Sequence, residues 1–294
     1  MKKVAILNIS QFEKYNSLEG FYSNTLEKHL ITSHKDIYLP HSHNFYLAIL
    51  FTQGSGSHEV DFNTYAVQPG SIFFLNPGQT HHWELSDDTK GYIFFHTQSF
   101  YDLQYTQASI NRFPFYYSMH NLPCLYLKNK ELDIITSLFT DVYNESLTEQ
   151  PLKRQKLLSL INLIYIECTR VYLLQNPADD KNRNSYYNKF RQLEQLVDEH
   201  FKHEKSPARY ADMLNVSAKH LNRITQAVAG KTVTDIIHDR VLLEAKKELV
   251  LQKRNFGEIA YLLGYNDYAY FSRLFKNKSG ETPSQFLQRY SKSA

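Results

Sequence analysis

The chain has 294 residues, of which 42% are hydrophobic and 21% are charged, and it contains only 10 Gly, 9 Pro and 2 Cys. This composition excludes collagen-like, disordered and disulfide-framework proteins, and the length predicts two domains with separate cores. The net charge of +3 is divided unevenly: residues 1–180 carry 13 basic and 18 acidic side chains (−5), and residues 181–294 carry 20 and 12 (+8). The basic excess in the second part predicts a polyanion as its partner, although a solvated basic surface fits the charge alone equally well.

The first residues and the cysteines bear on the compartment. The apolar run at residues 4–7 resembles the start of a signal peptide, but polar residues from Asn8 onward end it after four residues. On this pattern no segment reaches the roughly 20 apolar residues that a membrane helix needs. Cys124 and Cys168 are too few for a disulfide framework or a four-cysteine zinc site. We therefore predict a cytoplasmic protein with no membrane partner.

Up to residue 100 the pattern predicts short strands separated by turn clusters such as Gly54-Ser55-Gly56 and Asn76-Pro77-Gly78. This spacing is typical of a β-barrel or jelly roll. The predicted strands span residues 45–53, 58–62, 65–68, 71–75, 81–85 and 92–96.

Two motifs in this region resemble the sequence motifs of cupins. His41-x-His43 stands before a predicted strand, and Gly70 is followed, after five residues, by Asn76-Pro77-Gly78-x-x-His81. The resemblance implies a cupin-like barrel. Cupin enzymes use such histidines, with a glutamate a few residues after the first pair, to hold a divalent metal. Residues 44–50 are NFYLAIL and contain no glutamate, so we predict no metal, no cofactor and no enzyme activity.

Without a metal, neutral histidines in this barrel would hydrogen-bond a polar ligand or the barrel wall. The aromatic side chains nearby suit stacking on a sugar or enclosure of an apolar effector. Because side chains alternate along a strand, only about half of them can face inward. The predicted effector-binding residues are His41, His43, Tyr46, His81, His82, Trp83, Tyr92 and Phe94.

Two helices are predicted after residue 128, at 129–147 and 151–175. The second has an apolar stripe that includes Cys168, which we interpret as a small apolar member of the stripe and not as a nucleophile. Such a stripe either covers the mouth of the barrel or forms a dimer interface. The polar stretch at 176–186 has the composition of a linker.

The region after the linker is predicted to be all-α and contains an internal repeat. Residues 211–216 match residues 260–265 at an offset of 49. Each copy is a short apolar helix ended by a residue that tolerates left-handed backbone, Asn215 or Gly264. After the turn the match resumes at an offset of 50. The repeat predicts two helix-turn-helix units.

The second helix of each unit has a polar side opposite its apolar face. That side carries Lys219, Asn222 and Arg223 in the first unit, and Ala269, Ser272 and Arg273 in the second. Arg can pair with guanine and Asn with adenine through two hydrogen bonds each. Solvation or a salt bridge is the alternative for any one arginine, but repetition at the same helical phase favours base contact.

One amphipathic helix is predicted between the units, at residues 233–251. At about 1.5 Å per residue it spans nearly 30 Å, which approaches one DNA turn of about 34 Å. This length allows a single chain to place both recognition helices in successive major grooves.

A set of motifs runs from the helix between the repeats to the end of the second helix-turn-helix unit: Arg240-Val241, Ala245 and Leu249, and residues 259–265, 270–276 and 280–283. By these motifs, the C-terminal 100 or so residues resemble the DNA-binding domain of the AraC/XylS transcription regulators. Asn215 stands where a glycine is common in the family, and Asn tolerates the same backbone geometry. The sugar-sensing arms of this family share the cupin-like motifs described above.

This resemblance implies which side chains contact double-stranded DNA. It also implies that the helix at 151–175 forms a homodimer, and it makes RNA polymerase a candidate partner. The residues expected at bases are Lys219, Asn222, Arg223, Tyr268, Ser272 and Arg273. Those expected at phosphates are Lys231, Arg254, Lys276 and Lys278.

We therefore predict an α+β protein that regulates transcription in response to a small-molecule effector, a sugar or another organic ligand. An alternative is a metal-dependent cupin enzyme fused to a DNA-binding domain, and a second is an effector-independent architectural protein with an occluded barrel. The predicted parts are a cupin-like effector-sensing barrel at 1–127, a helical dimerisation segment at 128–175, a linker at 176–186 and an AraC-type DNA-binding domain at 187–294.

Overall fold

The structure is a computed structural model, and it describes residues 5–12, 18–32, 40–102, 104–105, 110–117, 122–175, 183–251 and 253–293. These residues form two compact units, one at 5–175 and one at 183–293. The first is rich in strands and the second is helical, so the predicted α+β class is confirmed. Residues 176–182 of the predicted linker lie outside the described residues.

The N-terminal unit contains two five-stranded sheets. Its strands are β1 (Ala5–Leu7), β2 (Phe21–Thr25), β3 (His41–His43), β4 (Tyr46–Gln53), β5 (Gly56–Val60), β6 (Asn63–Val67), β7 (Ser71–Leu75), β8 (Thr80–Leu85), β9 (Lys90–His96) and β10 (Cys124–Tyr126). Sheet A has the order β1-β3-β8-β5-β6, and sheet B has the order β10-β7-β4-β9-β2. Each of the six predicted strands is present, with ends shifted by two residues at most.

Large apolar side chains fill the space between the two sheets. Val60 and Val67 of sheet A belong to the same buried cluster as Ile49 and Phe73 of sheet B. They meet because alternate residues of each strand point to the same face. The inner faces of sheets A and B therefore form the core of this unit.

The outer face of sheet B is also buried, because helices cover it. β7 is buried at all five positions, which is typical of a strand with both faces covered. A second core cluster joins Phe74 on this outer face to Phe139 and Ile161 on two of the helices. The helices of this unit are α1 (Leu26–Thr32), α2 (Gln98–Asp102), α3 (Pro114–Tyr117), α4 (Asn129–Ser146) and α5 (Lys153–Gln175).

Among the described residues, α5 is the one helix long and apolar enough to span a membrane by length and composition. Our statement that no segment reaches this threshold is therefore wrong. Leu157, Ile161 and Ile164 of α5 pack in the core cluster beside sheet B, which accounts for the apolar composition without a membrane. Cys168 is fully buried in the same stripe, as predicted, and burial raises the pKa of its thiol.

The C-terminal unit contains the predicted helices. They are α6 (Arg183–His200), α7 (Pro207–Met213), α8 (Ala218–Ala229), α9 (Val233–Leu251), α10 (Phe256–Leu262), α11 (Tyr268–Ser279) and α12 (Pro283–Ser293). The prediction of one long helix between the repeats, α9, is confirmed. α6 begins earlier than expected, so residues 183–186, which we assigned to the linker, are helical. A polar composition is found in the first turn of a helix as well as in a linker, so composition does not separate the two.

Candidate functional site

The turns of the two helix-turn-helix units have the same geometry. Asn215 after α7 and Gly264 after α10 both have left-handed backbone, with φ of 53° and 82°. In each turn the next residue donates its N–H to the carbonyl five positions back, at 3.0 Å in the first unit and 2.9 Å in the second. These bonds satisfy carbonyls at the helix end. The repeat found in the sequence is therefore a repeat of structure.

The buried face of each recognition helix determines which side stays exposed. Leu221 and Ile224 anchor α8 in the core, and Phe271 and Phe275 anchor α11. The opposite sides of both helices carry the side chains predicted to meet DNA. The buried faces of α8 and α11 therefore agree with the prediction that these side chains occupy equivalent positions on the two helices.

The exposed side of α8 carries Lys219 and Arg223. Arg223 Nη2 donates to His220 Nδ1 at 2.7 Å, and its guanidinium lies 5.9 Å from the centre of the Tyr186 ring. Both contacts hold the guanidinium at the surface of the helix. They are weak enough to be exchanged for a base or a phosphate, since exposed contacts of this kind contribute about 1 kcal/mol or less.

Asn222 is less available than its position on α8 suggests. Its side chain is half-buried, and Oδ1 accepts a hydrogen bond from the Val233 N–H at the start of α9, at 3.2 Å. A bidentate pair with adenine uses that same oxygen. Adenine recognition by Asn222 therefore requires this bond to open.

On α11, Tyr268 and Arg273 are exposed and Ser272 is half-buried. The Tyr268 ring is nearly parallel to the Phe256 ring, with centroids 6.2 Å apart and an interplanar angle of 9°. This contact orients Tyr268 at the first turn of the recognition helix.

Three of the four predicted phosphate contacts form ion pairs with carboxylates of α9. Lys231 Nζ lies 2.7 Å from Asp239 Oδ2, and Arg254 Nη1 lies 2.7 Å from Glu248 Oε2. Lys278 pairs with Asp235, and this pair lowers the pKa of the Asp235 carboxyl well below its usual range. Lys276 is exposed, and its ammonium has no ion pair with the residues that the structure describes.

In the N-terminal unit, the structure brings histidines together on the inner face of sheet A. His41 pairs with His81 across β3 and β8, and His43 lies two residues along on the same face. His43 Nε2 lies 2.6 Å from His81 Nε2, and His81 Nδ1 lies 2.8 Å from Nε2 of a fourth histidine, His58. His41, His43, His58 and His81 are at most 3% exposed. We call these four residues the histidine cluster.

Aromatic rings border the histidine cluster. Phe45 stacks on His43 with ring centroids 4.6 Å apart, and Phe73 lies 4.5 Å from His58. Trp83, the single tryptophan of the sequence, lies 5.3 Å from His81 and 5.4 Å from His58. Four of the eight residues predicted to bind an effector, His41, His43, His81 and Trp83, therefore lie on one face of sheet A.

Burial keeps part of the histidine cluster uncharged. It lowers the pKa of His58 to about 3, with a further contribution from the imidazoles of His82 and His41. Burial and three neighbouring imidazoles hold the pKa of His43 well below its usual range. Nδ1 of His43 and Nδ1 of His58 are buried and have no hydrogen-bond partner among the described residues. An unpaired buried polar atom of this kind costs about 1 to 3 kcal/mol.

Four of the predicted effector-binding residues lie away from the cluster. His82 is on the outer face of sheet A, where Nδ1 lies 3.7 Å from Glu59 Oε1. Tyr46, Tyr92 and Phe94 are on the outer face of sheet B and pack against the helices. The reason is that sheet B is buried on both faces, so an aromatic residue on either face has the same sequence pattern.

His58 is the member of the cluster that sequence analysis did not predict. It lies on β5, which stands between β8 and β6 in sheet A, and it pairs with Trp83 of β8. Alternation within β5 places His58 on the same face as the buried Val60, which is a usable signal. The pairing of β5 with β8 has no local signature, so the contact between His58 and His81 required the sheet topology.

Comparisons with known families agree with the two-unit organisation. A family described as "AraC-like ligand binding domain" matches residues 27–107, and a family described as "Helix-turn-helix domain" matches residues 210–289. The first match covers most of both sheets, and the second runs from the middle of α7 into α12.

Three individual proteins show how far the similarity extends. The HTH-type transcriptional activator RhaS of Mannheimia succiniciproducens is 24% identical over 259 residues, which cover 85% of this chain and 90% of RhaS. The bifunctional transcriptional activator/DNA repair enzyme AdaA of Bacillus subtilis is 30% identical over 96 residues, or 33% of this chain, and the match spans less than half of AdaA (46%). The structure of ToxT from Vibrio cholerae is 15% identical, covers 92% of this chain and 98% of ToxT, and has a TM-score of 0.44.

Proposed function

We infer that the chain belongs to the AraC/XylS family of transcription regulators, with an N-terminal ligand-binding domain and a C-terminal helix-turn-helix DNA-binding domain. From this premise we propose how it recognises DNA and effector. The observation that carries the proposal is the repeat of structure: α8 and α11 expose Arg223 and Arg273 at equivalent positions. α9 joins the two helix-turn-helix units and has 19 residues, which span about 28 Å at about 1.5 Å per residue. That span suits major grooves about one turn apart.

The proposed contacts divide between bases and phosphates. Direct hydrogen bonds to base edges give specificity, and phosphate contacts give salt-dependent affinity. Lys231, Arg254 and Lys278 exchange their α9 carboxylates for phosphates on binding. The bases are contacted by Lys219, Asn222, Arg223, Tyr268, Ser272 and Arg273, and the phosphates by these three cations and Lys276.

The proposed effector site is the histidine cluster with Trp83. Buried imidazole nitrogens offer directional polar contacts, and the bordering rings exclude water. Among the residues that the structure describes, Nδ1 of His43 and Nδ1 of His58 have no hydrogen-bond partner, which supports a ligand in this cluster. His82, Tyr46, Tyr92 and Phe94 are not part of this proposed site, because they face away from it.

A hydrogen-bonded path from sheet B to α5 supports coupling between the effector site and a homodimer. His96 on β9 lies 2.6 Å from the Tyr165 hydroxyl on α5, through Nε2. Tyr116 donates its hydroxyl to Tyr165 at 3.2 Å. α5 also exposes Leu163, Leu173 and Leu174, which suit an apolar dimer interface. A shift of sheet B on effector binding would therefore move α5 and the linked DNA-binding domains.

The mechanism is then one of linkage between two binding sites. An effector that prefers one arrangement of the dimer shifts the equilibrium between DNA-binding geometries by its differential affinity for them and no more. We assign the chain no catalytic step, a cytoplasmic location and RNA polymerase as a further partner.

Selection from randomised duplexes with the full-length protein tests the DNA part. We expect enriched duplexes to share two specified segments about 10 base pairs apart. The double variant Arg223→Ala, Arg273→Ala should lose the enrichment. Arg170→Ala removes one exposed positive charge from α5 and should keep it. Failure of the wild-type protein to enrich any sequence would contradict the proposal.

Native mass spectrometry of the purified full-length protein tests the effector part. We expect a bound small species in the wild-type protein and its loss in Trp83→Ala, with basal operator binding unchanged. His82→Gln, on the outer face of the same strand, should retain the species. Equal retention by the Trp83 and His82 variants would place the effector site elsewhere.

A further inference from the structure

The histidine cluster contains a group with the geometry of a metal site. His41, His43 and His81 each offer one ring nitrogen, and these three atoms all lie within 4.8 Å of one another. Zn–N bonds of about 2.0–2.1 Å in a tetrahedral site place ligand atoms about 3.3 Å apart. The 2.6 Å separation of His43 Nε2 and His81 Nε2 and the 4.8 Å limit fall on either side of that value. Ring rotations that bring these separations to about 3.3 Å would place all three nitrogens around one ion.

We propose that His41, His43 and His81 bind a divalent first-row transition-metal ion such as Zn²⁺ or Co²⁺, and that this ion is the effector of the N-terminal domain. The inference rests on the effector site proposed above, since it names the ligand of that site. It also departs from our sequence expectation of no metal, which depended on the missing glutamate. The structure supplies a different supporting residue, His58.

His58 orients one of the ligands. In the tautomer that carries the proton on His81 Nδ1, this atom donates to His58 Nε2 at 2.8 Å. The lone pair of His81 Nε2, which faces His43 Nε2, is then the one that would bind the proposed ion. Metal-bound histidines commonly donate their second N–H to an acceptor in this way, and the bond fixes the tautomer. His58 is therefore a positioning residue and not a ligand.

The donor set determines the class of ion. Three imidazoles suit Zn²⁺, Co²⁺, Ni²⁺ or Cu²⁺, whereas Mg²⁺ and Ca²⁺ prefer oxygen ligands. Three protein ligands leave a fourth position for water or another donor. The surrounding Phe45, Phe73 and Trp83 rings contact the histidines. A single ion occupies far less volume than a sugar, so its binding requires less displacement of these rings.

Titration of chelator-treated full-length protein with Co²⁺ tests the binding. We expect one Co²⁺ per chain, visible absorption of a nitrogen-ligated ion, and quenching of fluorescence from Trp83, which lies 5.3 Å from His81. His43→Gln and His81→Gln should each weaken binding by at least 100-fold. His58→Gln should weaken it by about 10- to 100-fold, as loss of an outer hydrogen bond does.

His82→Gln is the matched control, because it alters the neighbour of His81 on the opposite face of β8. It should bind Co²⁺ like the wild type. X-ray absorption of the zinc-loaded wild-type protein is independent of whether the variants fold, and it should show imidazole nitrogen at about 2.0 Å. The binding proposal is overturned by absence of Co²⁺ binding at millimolar concentration, or by equal losses in His82→Gln and His43→Gln.

Operator affinity separates this inference from the proposed function. We expect Zn²⁺ to change the affinity for selected duplexes by about 5- to 150-fold, the usual range of allosteric coupling. Metal binding with unchanged operator affinity would overturn the effector role of the ion. A response to a co-purified organic compound, with no metal bound, would overturn the inference and leave the proposed function intact. If operator affinity responds neither to metal nor to any compound whose effect depends on Trp83, the proposed effector site itself is contradicted.

Discussion

Single side chains decide what each recognition helix can do. Arg223 and Arg273 occupy equivalent positions of α8 and α11, but Arg223 is held by His220 and Tyr186. Asn222 and Ser272 are also equivalent, yet Asn222 Oδ1 is engaged by the Val233 N–H. The two units are therefore alike in backbone and different in the side chains presented, so they should recognise different bases.

The first prediction concerns these arginines. Arg223→Ala and Arg273→Ala should each reduce operator binding by about 1 to 3 kcal/mol and relax specificity at different base positions about one turn apart. Competition binding with single-base operator variants measures both effects. Unchanged base preference in both variants would contradict the assignment.

Lys276→Ala tests a predicted phosphate contact in the way that the two arginine variants test predicted base contacts. It should weaken binding to all sequences alike and reduce the slope of log affinity against log salt by about one, because one phosphate contact is lost. Lys276 suits this test because its ammonium has no ion pair with the described residues. A sequence-selective loss in this variant would assign Lys276 to a base.

At the scale of elements, the turn of the second helix-turn-helix unit makes contacts with the segment after α6 that its own sequence does not indicate. Lys205 Nζ donates to the Leu263 carbonyl at 2.9 Å. A Cβ built on Gly264 would lie 1.9 Å from the Lys202 carbonyl oxygen. The turn between α10 and α11 is therefore in contact with the segment that follows α6. Glycine is required here for close approach as well as for its backbone angle.

Gly264 and Gly280 form a matched pair for the second prediction. Both have φ of +82°, but a Cβ at Gly280 would meet nothing within 4 Å. Gly280→Ala should cost about 1 to 2 kcal/mol of unfolding free energy from backbone strain alone. Gly264→Ala should cost about 1 to 3 kcal/mol more, because the backbone must shift. Urea unfolding followed by circular dichroism measures both, and equal losses would contradict the contact with Lys202.

The third prediction concerns the start of α9. Asp235 accepts hydrogen bonds from the backbone N–H and the hydroxyl of Thr232 and pairs with Lys278. These contacts lower the pKa of its carboxyl, so the folded state binds its proton less readily than the unfolded state. The contribution to stability is complete above the unfolded pKa near 3.8 and is lost as the pH falls below it.

Asp235→Asn should therefore make the C-terminal unit less stable at pH 7 and reduce the dependence of its stability on pH below about 4. Acid titration of wild type and variant, followed by helical circular dichroism, measures the difference. Asp212→Asn, an exposed position on α7, serves as the control. An acid transition unchanged by Asp235→Asn would show that this carboxylate does not contribute to the pH dependence of stability.

At the scale of the molecule, charge and structure divide the chain near the same place. Residues 1–180 have a net charge of −5 and residues 181–294 have +8, and the described residues separate into units at 5–175 and 183–293. Each unit has its own buried core. This separation suits the proposed function, in which one unit binds DNA and the other binds an effector.

The fourth prediction is that a fragment from about residue 182 to 294 folds and binds DNA as a monomer. Full-length protein should be a dimer and should bind more tightly, because two DNA-binding domains are linked. Sedimentation and operator binding of both proteins measure this. Leu163→Glu and Leu174→Glu, at exposed positions of α5, should make the full-length protein monomeric. An equally dimeric fragment would exclude α5 as the dimer interface.

The sequence by itself determined the features that depend on local periodicity. These include the strands before residue 100, the helix at 233–251 and the two turns marked by Asn215 and Gly264, because each follows from a repeat of apolar residues or from one residue's backbone preference. The resemblance of the C-terminal residues to the AraC/XylS regulators was also evident from the sequence, because its motifs lie within continuous stretches of chain.

Only the tertiary structure decided which side chains share a face. Tyr46, Tyr92 and Phe94 point to the helices that cover sheet B. The sequence could not indicate this direction, because a strand buried on both faces has no alternation of apolar and polar residues. His58 meets His81 because β5 pairs with β8, a contact between residues 23 positions apart. Strand pairing depends on the whole sheet, so a histidine cluster made of three separate strands has no continuous signature in the chain.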